Sequence, residues 1–386
     1  ACGRKDTRSY MQVRTIHPDD LSHKDVREWE AIRSESERFR SPYYSAEFAR
    51  VLGGCRKDAR IIIARRDDGE ALAFVPVQIS RLGMARPLGS PFTDCSGPIL
   101  RLGDEEILPS ILRSAGVTAY GYAGLDDSLG VFSEHHRAET LAYIADLSPG
   151  FEAYLESRRS AYPKHFKKAR RLSRQAAREA GELEVCFHEP APDILETLIS
   201  WKREQYQRTG LHDVLAPDWS RAMLHACLTS ESPILSGVLT TLRIDGKLAA
   251  IELGLRSHDV LHGWIAGYNQ DFANYSPGIL LQERLLQGAC EAGIKRADLG
   301  GGAHHYKKYY GSDTVALSEG LVPACGFGGA TRSMLGDAWM MLERAPLGPA
   351  ARFAGSARRR LDNILAVETT FGGRARGVLN AFNKPG

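Results

Sequence analysis

The sequence predicts an α/β protein made of two related halves followed by a helical extension. Three observations carry this. The chain has 386 residues, more than one ordinary core holds. Short apolar runs with β-type alternation are interleaved with longer runs of helical period. One plan also recurs, in which a strand, an Asp-Gly turn and a second strand lead through a polar loop to a short apolar segment opened by glycine and proline. Asp68-Gly69 is answered by Asp245-Gly246, 177 residues on, and Gly97-Pro98-Ile99-Leu100 by Pro277-Gly278-Ile279-Leu280, 180 residues on.

The elements follow in order. Trp29 to Leu52 has helical character broken at Ser41-Pro42, because the residue before a proline is pushed out of the α region. Ala59 to Ala64 reads as a strand that turns at Asp67-Asp68-Gly69 into Ala71 to Ile79, with two weaker strands up to Leu100. An Asp-Gly pair between alternating apolar runs is a strong hairpin signal. Helical patterns cover Phe151 to Ala180, Ile194 to Arg208 and Trp219 to Leu228, and strands cover Leu235 to Arg243, Leu248 to Leu255 and Val260 to Tyr268. The turn-forming run Asp146-Leu147-Ser148-Pro149-Gly150 marks the boundary. The expected organisation is residues 11–146, residues 147–324 and a basic helical tail at 325–386 containing Arg358-Arg359-Arg360.

Composition narrows the class. Hydrophobic residues make up 43% and charged residues 25%, and the net charge of +3 is too small to imply nucleic acid or membrane without a local patch. The seven scattered cysteines show no CxxC spacing, which fits a reducing compartment and no zinc site. The first residues, ACGRKDTRSYMQV, are polar rather than leader-like, and no run is long and apolar enough to span a bilayer. A cytoplasmic protein is expected.

Four segments carry candidate chemistry. A helix from Pro277 to Ala292 has Ser276 at its cap, proline at its first position and Gly293 after its end. Its N-terminus, with Gly278 giving close backbone access, suits a pyrophosphate and makes Ser276, Pro277 and Gly278 candidate donor-binding residues. The run ADLGGGAHHYKKYYG from Ala297 ends a strand in three glycines and crowds His304, His305, Tyr306, Lys307 and Lys308 together. Such a loop places proton donors and cations beside a reacting centre, or it simply packs its aromatics. Metal is not expected there, since adjacent histidines diverge and no partner cluster stands nearby. Helical spacing gathers Lys164, Lys167, Lys168 and Arg171 near one face, a place for phosphates or a solvated basic face. On WKREQYQRTG, Lys202, Gln205 and Tyr206 are candidates for an acceptor pocket.

In this order the segments YPKHFKKARRL, WKREQYQRTG, DGKLAAIELGL, YNQDFANYSPGILL and ADLGGGAHHYKKYYGS resemble the CelD-like branch of the GNAT acyltransferase superfamily, which is related to the FemABX transferases. The resemblance covers residues 150–322 well and 25–146 more loosely. It implies two tandem GNAT-like domains, each a mixed twisted sheet flanked by helices. It further implies acetyl-CoA or another acyl-CoA as co-substrate, and a small-molecule or glycan-precursor acceptor related to the envelope or an exopolysaccharide. The FANYSPG loop departs from the usual Q/RxxGxG/A phosphate loop. The alternatives are an aminoacyl-tRNA-dependent transferase, the one case that involves nucleic acid, and a non-catalytic binding protein. For acyl transfer, Tyr306 is the expected proton donor to the leaving thiolate, with Glu252, His304 and His305 as rival bases. Backbone groups of the strand at Ile265 and Ala266 would hold and polarise the donor, Trp264 would contact the substrate, and Lys307 or Lys308 would meet an anion.

Overall fold

The computed structural model describes residues 11–101, 105–127, 130–302, 306–324, 339, 341 and 349–383. They form two compact units. One comprises the chain up to Glu139 with Leu317–Asp362, and the other Thr140–Ala316 with the chain from Asn363 on. No helix among the described residues is long and apolar enough to cross a membrane.

In the first unit, β1 (Gln12–Ile16), β2 (Ala59–Arg65) and β3 (Ala71–Ile79) form an antiparallel meander, and β4 (Met84–Pro87) continues it. β4 lies parallel to β6 (Ala119–Leu125), which pairs antiparallel with residues 318–323 of β13 (Asp313–Pro323). The pleat sends alternate residues of β3 to opposite faces. Phe74 meets Trp29 of α1 (His23–Ser34) at 5.0 Å, while Val75 and Val77 pack with Ile111 and Leu112 of α3 (Leu108–Ser114). Trp29 is fully buried and its indole N–H donates to the Tyr44 carbonyl at 2.7 Å, so the ring contributes apolar area without leaving its donor unmade.

The second unit has the strand order β7 (His136–Asp146), β12 (Arg296–Asp298), β11 (Val260–Tyr268), β10 (Lys247–Ser257), β9 (Ser236–Ile244), β8 (Leu183–Cys186). Asp245 and Gly246 both take positive φ, 52° and 71°, in the β9–β10 hairpin, as the two-residue turn matching strand twist requires. α5 (Pro163–Glu179) and α8 (Pro277–Glu291) cover one face, where Leu172, Ala176, Leu280 and Leu281 bury against Leu242 and Ala250. α6 (Pro192–Thr209) covers the other, with Leu198 and Trp201 over Gly267. α7 (Asp218–Leu228) packs so closely that a Cβ on Gly237 of β9 would lie 2.6 Å from the Leu228 Cα. That neighbour is backbone and cannot swing aside. Gly237→Ala is therefore expected to cost roughly 2 kcal/mol by overpacking, read as a lower urea midpoint with an unchanged m-value.

The α/β plan of mixed sheets flanked by helices matches the expectation from sequence. Two local readings change. The helical run Phe151 to Ala180 is two helices, α4 (Phe151–Ala161) and α5, parted at Tyr162, since Pro163 disfavours helical backbone before it. The second anchor of the repeat also differs in kind. Ile99–Leu100 is a strand, β5, pairing with Ala73 and Phe74, whereas Ile279 and Leu280 lie in the first turn of α8. The hairpin motif is shared by the halves, but the Gly/Pro segment after it is used differently.

Candidate active site

The site is built around a fork in the sheet of the second unit. β11 runs parallel to β12 only over Val260–His262 against Arg296–Asp298. Beyond that point β12 ends, while β11 continues to Tyr268 with β10 on its other edge. At the same place β11 carries an extra residue: Leu253 faces Ile265 and Gly254 faces Gly263, leaving Trp264 as the bulge. A bulge bends the strand and re-aims its backbone groups, and among the described residues no strand pairs with this edge of β11 past His262.

Glu252 occupies the fork. Its Oε1 lies 2.8 Å from where a Cβ on Gly263 would be, so that glycine makes room for the carboxyl. The side chain is 9% exposed, and burial pushes its carboxyl from the ordinary range up to about 7, with Lys307 opposing part of the shift. The hinge of the fork is pinned by His262, fully buried with Nδ1 3.5 Å from Asp298 Oδ2, while Asp298 Oδ1 accepts the Gly300 N–H at 2.8 Å.

Tyr306 connects the fork to a cavity of about 750 Å³ lined by Tyr162, Lys164, His165, Lys168, Ile279, Tyr306 and Tyr309 among others. Burial and the Glu252 charge raise the Tyr306 phenol well above its usual range, so the hydroxyl keeps its proton. His165 stacks on Tyr309 at 4.1 Å and stands edge-on to Tyr310. Burial and then Lys168 lower its pKa, which favours the neutral ring, and its Nε2 is buried without a hydrogen-bond partner. Pro163 at the start of α5 and Ile279 in the first turn of α8 bring two helix N-termini to the cavity, and neither first turn carries an acid. With Lys164 and Lys168 on the wall, the cavity is strongly positive and suits an anion.

The expected residues are distributed as follows. Glu252, Tyr306, Lys164, Pro277, Gly278 and Ala266 lie at the fork, the cavity or the α8 start that borders them. Gly278 is exposed, and a Cβ there would meet nothing within 4 Å. Ser276 stands at the cap position but in the left-handed region, φ 53°, and makes no side-chain cap bond. The turn of residues 270–275 brings the chain in at an angle that sends the Ser276 carbonyl, not its hydroxyl, to the Ile279 N–H at 2.9 Å. Ile265 pairs opposite Leu253, on the face away from Glu252. Lys307 is 8% exposed and donates to the Gly301 carbonyl at 2.9 Å, so it ties down the glycine loop beside Glu252 rather than facing an incoming anion. Lys308 sits 5.1 Å over the Tyr309 ring. Lys202, Gln205 and Tyr206 ride on α6, across the sheet from Glu252. There Lys202 donates to Gln205 at 3.0 Å, and burial lowers its pKa. Lys167 is separated from Lys164 and opens onto a different groove with Arg170 and Arg171. His304 and His305 lie outside the described residues.

His165, Tyr162, Tyr309 and the His262–Asp298 hinge were not singled out from sequence. The signal for the first was present: at helical spacing His165 shares a side with Lys168, but the lysines draw attention first. The hinge pair has no sequence signal, because the two residues meet only through parallel strand pairing.

Residues 163–308 match the family model described as the acetyltransferase (GNAT) domain. The crystal structure of FemX is similar over 83% of this chain and 99% of its own, with a TM-score of 0.55 at 14% identity. The fold is of the GNAT type. A conserved protein of unknown function from Bacteroides thetaiotaomicron VPI-5482 is similar over 78% of this chain and 98% of its own, with a TM-score of 0.50 at 12% identity. A tandem GNAT protein from the clavulanic acid biosynthesis pathway aligns over 82% and 99%, with a TM-score of 0.48 at 10% identity. No curated protein matches the chain. In this GNAT-type fold the matched segment contains the fork, Glu252, Tyr306 and most of the cavity lining, with Tyr162 and Tyr309 just outside its ends.

Proposed function

We propose that the second unit transfers an acyl group from acyl-CoA to an amine or hydroxyl of a glycan-related acceptor, in the manner of the CelD-like proteins that the sequence resembles. The observation that carries this is Glu252 at the sheet fork, buried, tuned to about 7 and coupled to Tyr306 at the mouth of a cation-lined cavity. Residues that fit a CoA ester are present. The edge of β11 past His262 offers amide groups to an amide-bearing arm, and Lys164, Lys168 and two helix N-termini suit its phosphates.

The chain's own groups then divide the chemistry. Glu252, with a pKa near neutrality, takes the proton from the attacking amine or hydroxyl. A backbone N–H on the free edge of β11 polarises the thioester carbonyl. Tyr306, which holds its proton firmly, donates a hydrogen bond to the departing sulfur.

A thermal-shift comparison of acetyl-CoA, longer acyl-CoAs and charged tRNA tests the donor. At a hundred-fold excess over Kd a true donor adds about 2.7 kcal/mol by mass action. An increase in Tm with charged tRNA alone would transfer the role to an aminoacyl donor, and no increase with any of them would remove the transferase reading. Gly278 supplies a finer check. Gly278→Val has space in the free protein, so the melting temperature should hold while donor affinity falls about ten-fold by steric blocking at the helix start. Unchanged affinity in a calorimetric titration would take α8 out of the donor site.

A further inference from the structure

α5 carries charge that the transfer chemistry does not use. Lys167, Arg170, Arg171, Arg174, Gln175 and Arg178 line one groove along the helix, at the i, i+3, i+4, i+7 spacing of a single face. Several guanidinium groups of the chain are paired, Arg65 with Asp25, Arg56 with Asp58, Arg203 with Asp213, Arg243 with Glu189 and, at the end of the groove itself, Arg178 with Glu179. Among the described residues Lys167, Arg170, Arg171 and Arg174 have no carboxylate within ion-pair distance, and all four are exposed. Like charges three and four residues apart repel along a helix. A bound anion relieves that repulsion.

We infer that this face of α5 is a docking strip for an anionic polysaccharide chain whose reacting end lies in the neighbouring cavity. The inference rests on the transfer reading for what happens at that end, but the strip itself is argued from its own residues. The groove and the cavity are distinct, but α5 carries both, with Lys164 and Lys168 on the cavity wall and Lys167, one residue before Lys168, on the groove. Guanidinium forks match carboxylates in two parallel hydrogen bonds, and the Gln175 amide carbonyl amid the arginines suits a sugar hydroxyl. Single-stranded nucleic acid is disfavoured because, among the described residues, no aromatic one lines the groove to stack a base. A membrane surface is disfavoured because the apolar side of α5, Phe166, Ala169, Leu172 and Ala176, is buried in the core and leaves nothing to insert.

The test is binding of a polygalacturonate oligomer to the full chain, with neutral dextran, tRNA and phosphatidylglycerol vesicles as separate arms. The wild type, an Arg170→Gln/Arg171→Gln/Arg174→Gln variant and Glu252→Gln are compared. Exposed charge pairs each contribute a factor of roughly two to five, so the triple variant should bind the polyuronate about 10- to 100-fold more weakly. The difference should shrink as salt rises, and melting temperatures should stay alike. Equal binding by wild type and triple variant, or binding of dextran as tight as polyuronate, would overturn the strip. Tighter binding of tRNA or vesicles through the same arginines would overturn its assignment to a glycan. Since binding is measured without turnover, Glu252→Gln should bind as the wild type does. Intact binding with no transfer by any variant would sink the transfer reading and leave the strip standing.

Discussion

Glu252→Gln is expected to lower turnover by roughly 10²- to 10⁴-fold with donor affinity nearly unchanged, the scale at which a positioned general base acts. The substitution keeps the side chain's size over Gly263 and removes only its capacity to take a proton. The wild-type rate should rise with pH through about 7, where burial has placed the Glu252 carboxyl, and that limb should vanish in the variant. The same burial has a stability consequence. A carboxyl whose pKa is raised by folding holds its proton more tightly in the folded state than in the unfolded one. Stability from this group is therefore fully present below the unfolded value of 4.5 and is lost as pH rises through about 7. The loss is on the order of 3 kcal/mol, at about 1.4 kcal/mol for each pH unit between the unfolded and folded values. Glu252→Gln, neutral throughout, should show little of that decline, so its melting temperature relative to wild type should climb between pH 5 and 8. A parallel pair of stability curves, or a turnover that survives, would remove Glu252 from the centre of the site.

Tyr306→Phe comes next in expected size. It keeps the ring in the cavity wall and deletes the hydroxyl of a residue that lines the cavity and feels the Glu252 charge. Turnover should fall by roughly 10²-fold, because the departing sulfur loses its hydrogen-bond donor, while donor affinity changes little. A leaving group of lower pKa needs less help, so a more acidic thiol in the donor should narrow the gap between wild type and variant. If the gap is independent of the leaving group, Tyr306 serves packing or binding instead. Removing the phenol also removes a group that shares electrostatics with Glu252, so the pH profile of Tyr306→Phe reads out how closely the two are coupled.

Much of the framework was legible because it is written in short-range patterns. The Asp245-Gly246 turn, the alternating strands beside it and the α8 boundaries from Pro277 to Gly293 each follow from backbone preferences of a few adjacent residues. Tyr306 was legible as a phenol after a glycine run, while Glu252 was one of three rival bases beside His304 and His305. Their relation to each other did not, since 54 residues separate them and the link is made by strand pairing across β10, β11 and β12.

The tertiary structure also sorted residues of similar appearance. Of the lysines on the α5 segment, Lys164 and Lys168 line the cavity and Lys167 lines the groove, because a helix turns about 100° per residue and adjacent positions face different neighbours. Lys307 and Lys308 are adjacent in a basic run, yet one is buried against the Gly301 carbonyl and the other covers a tyrosine ring. Lys202 and Tyr206 look like pocket residues in sequence, but α6 lies on the face of the sheet opposite Glu252. Residue type, turn chemistry and helix ends are local properties and can be read along the chain. Which side of a sheet a helix covers, where two strands part, and how far a carboxyl is removed from water depend on residues distant in sequence, and only packing decides them.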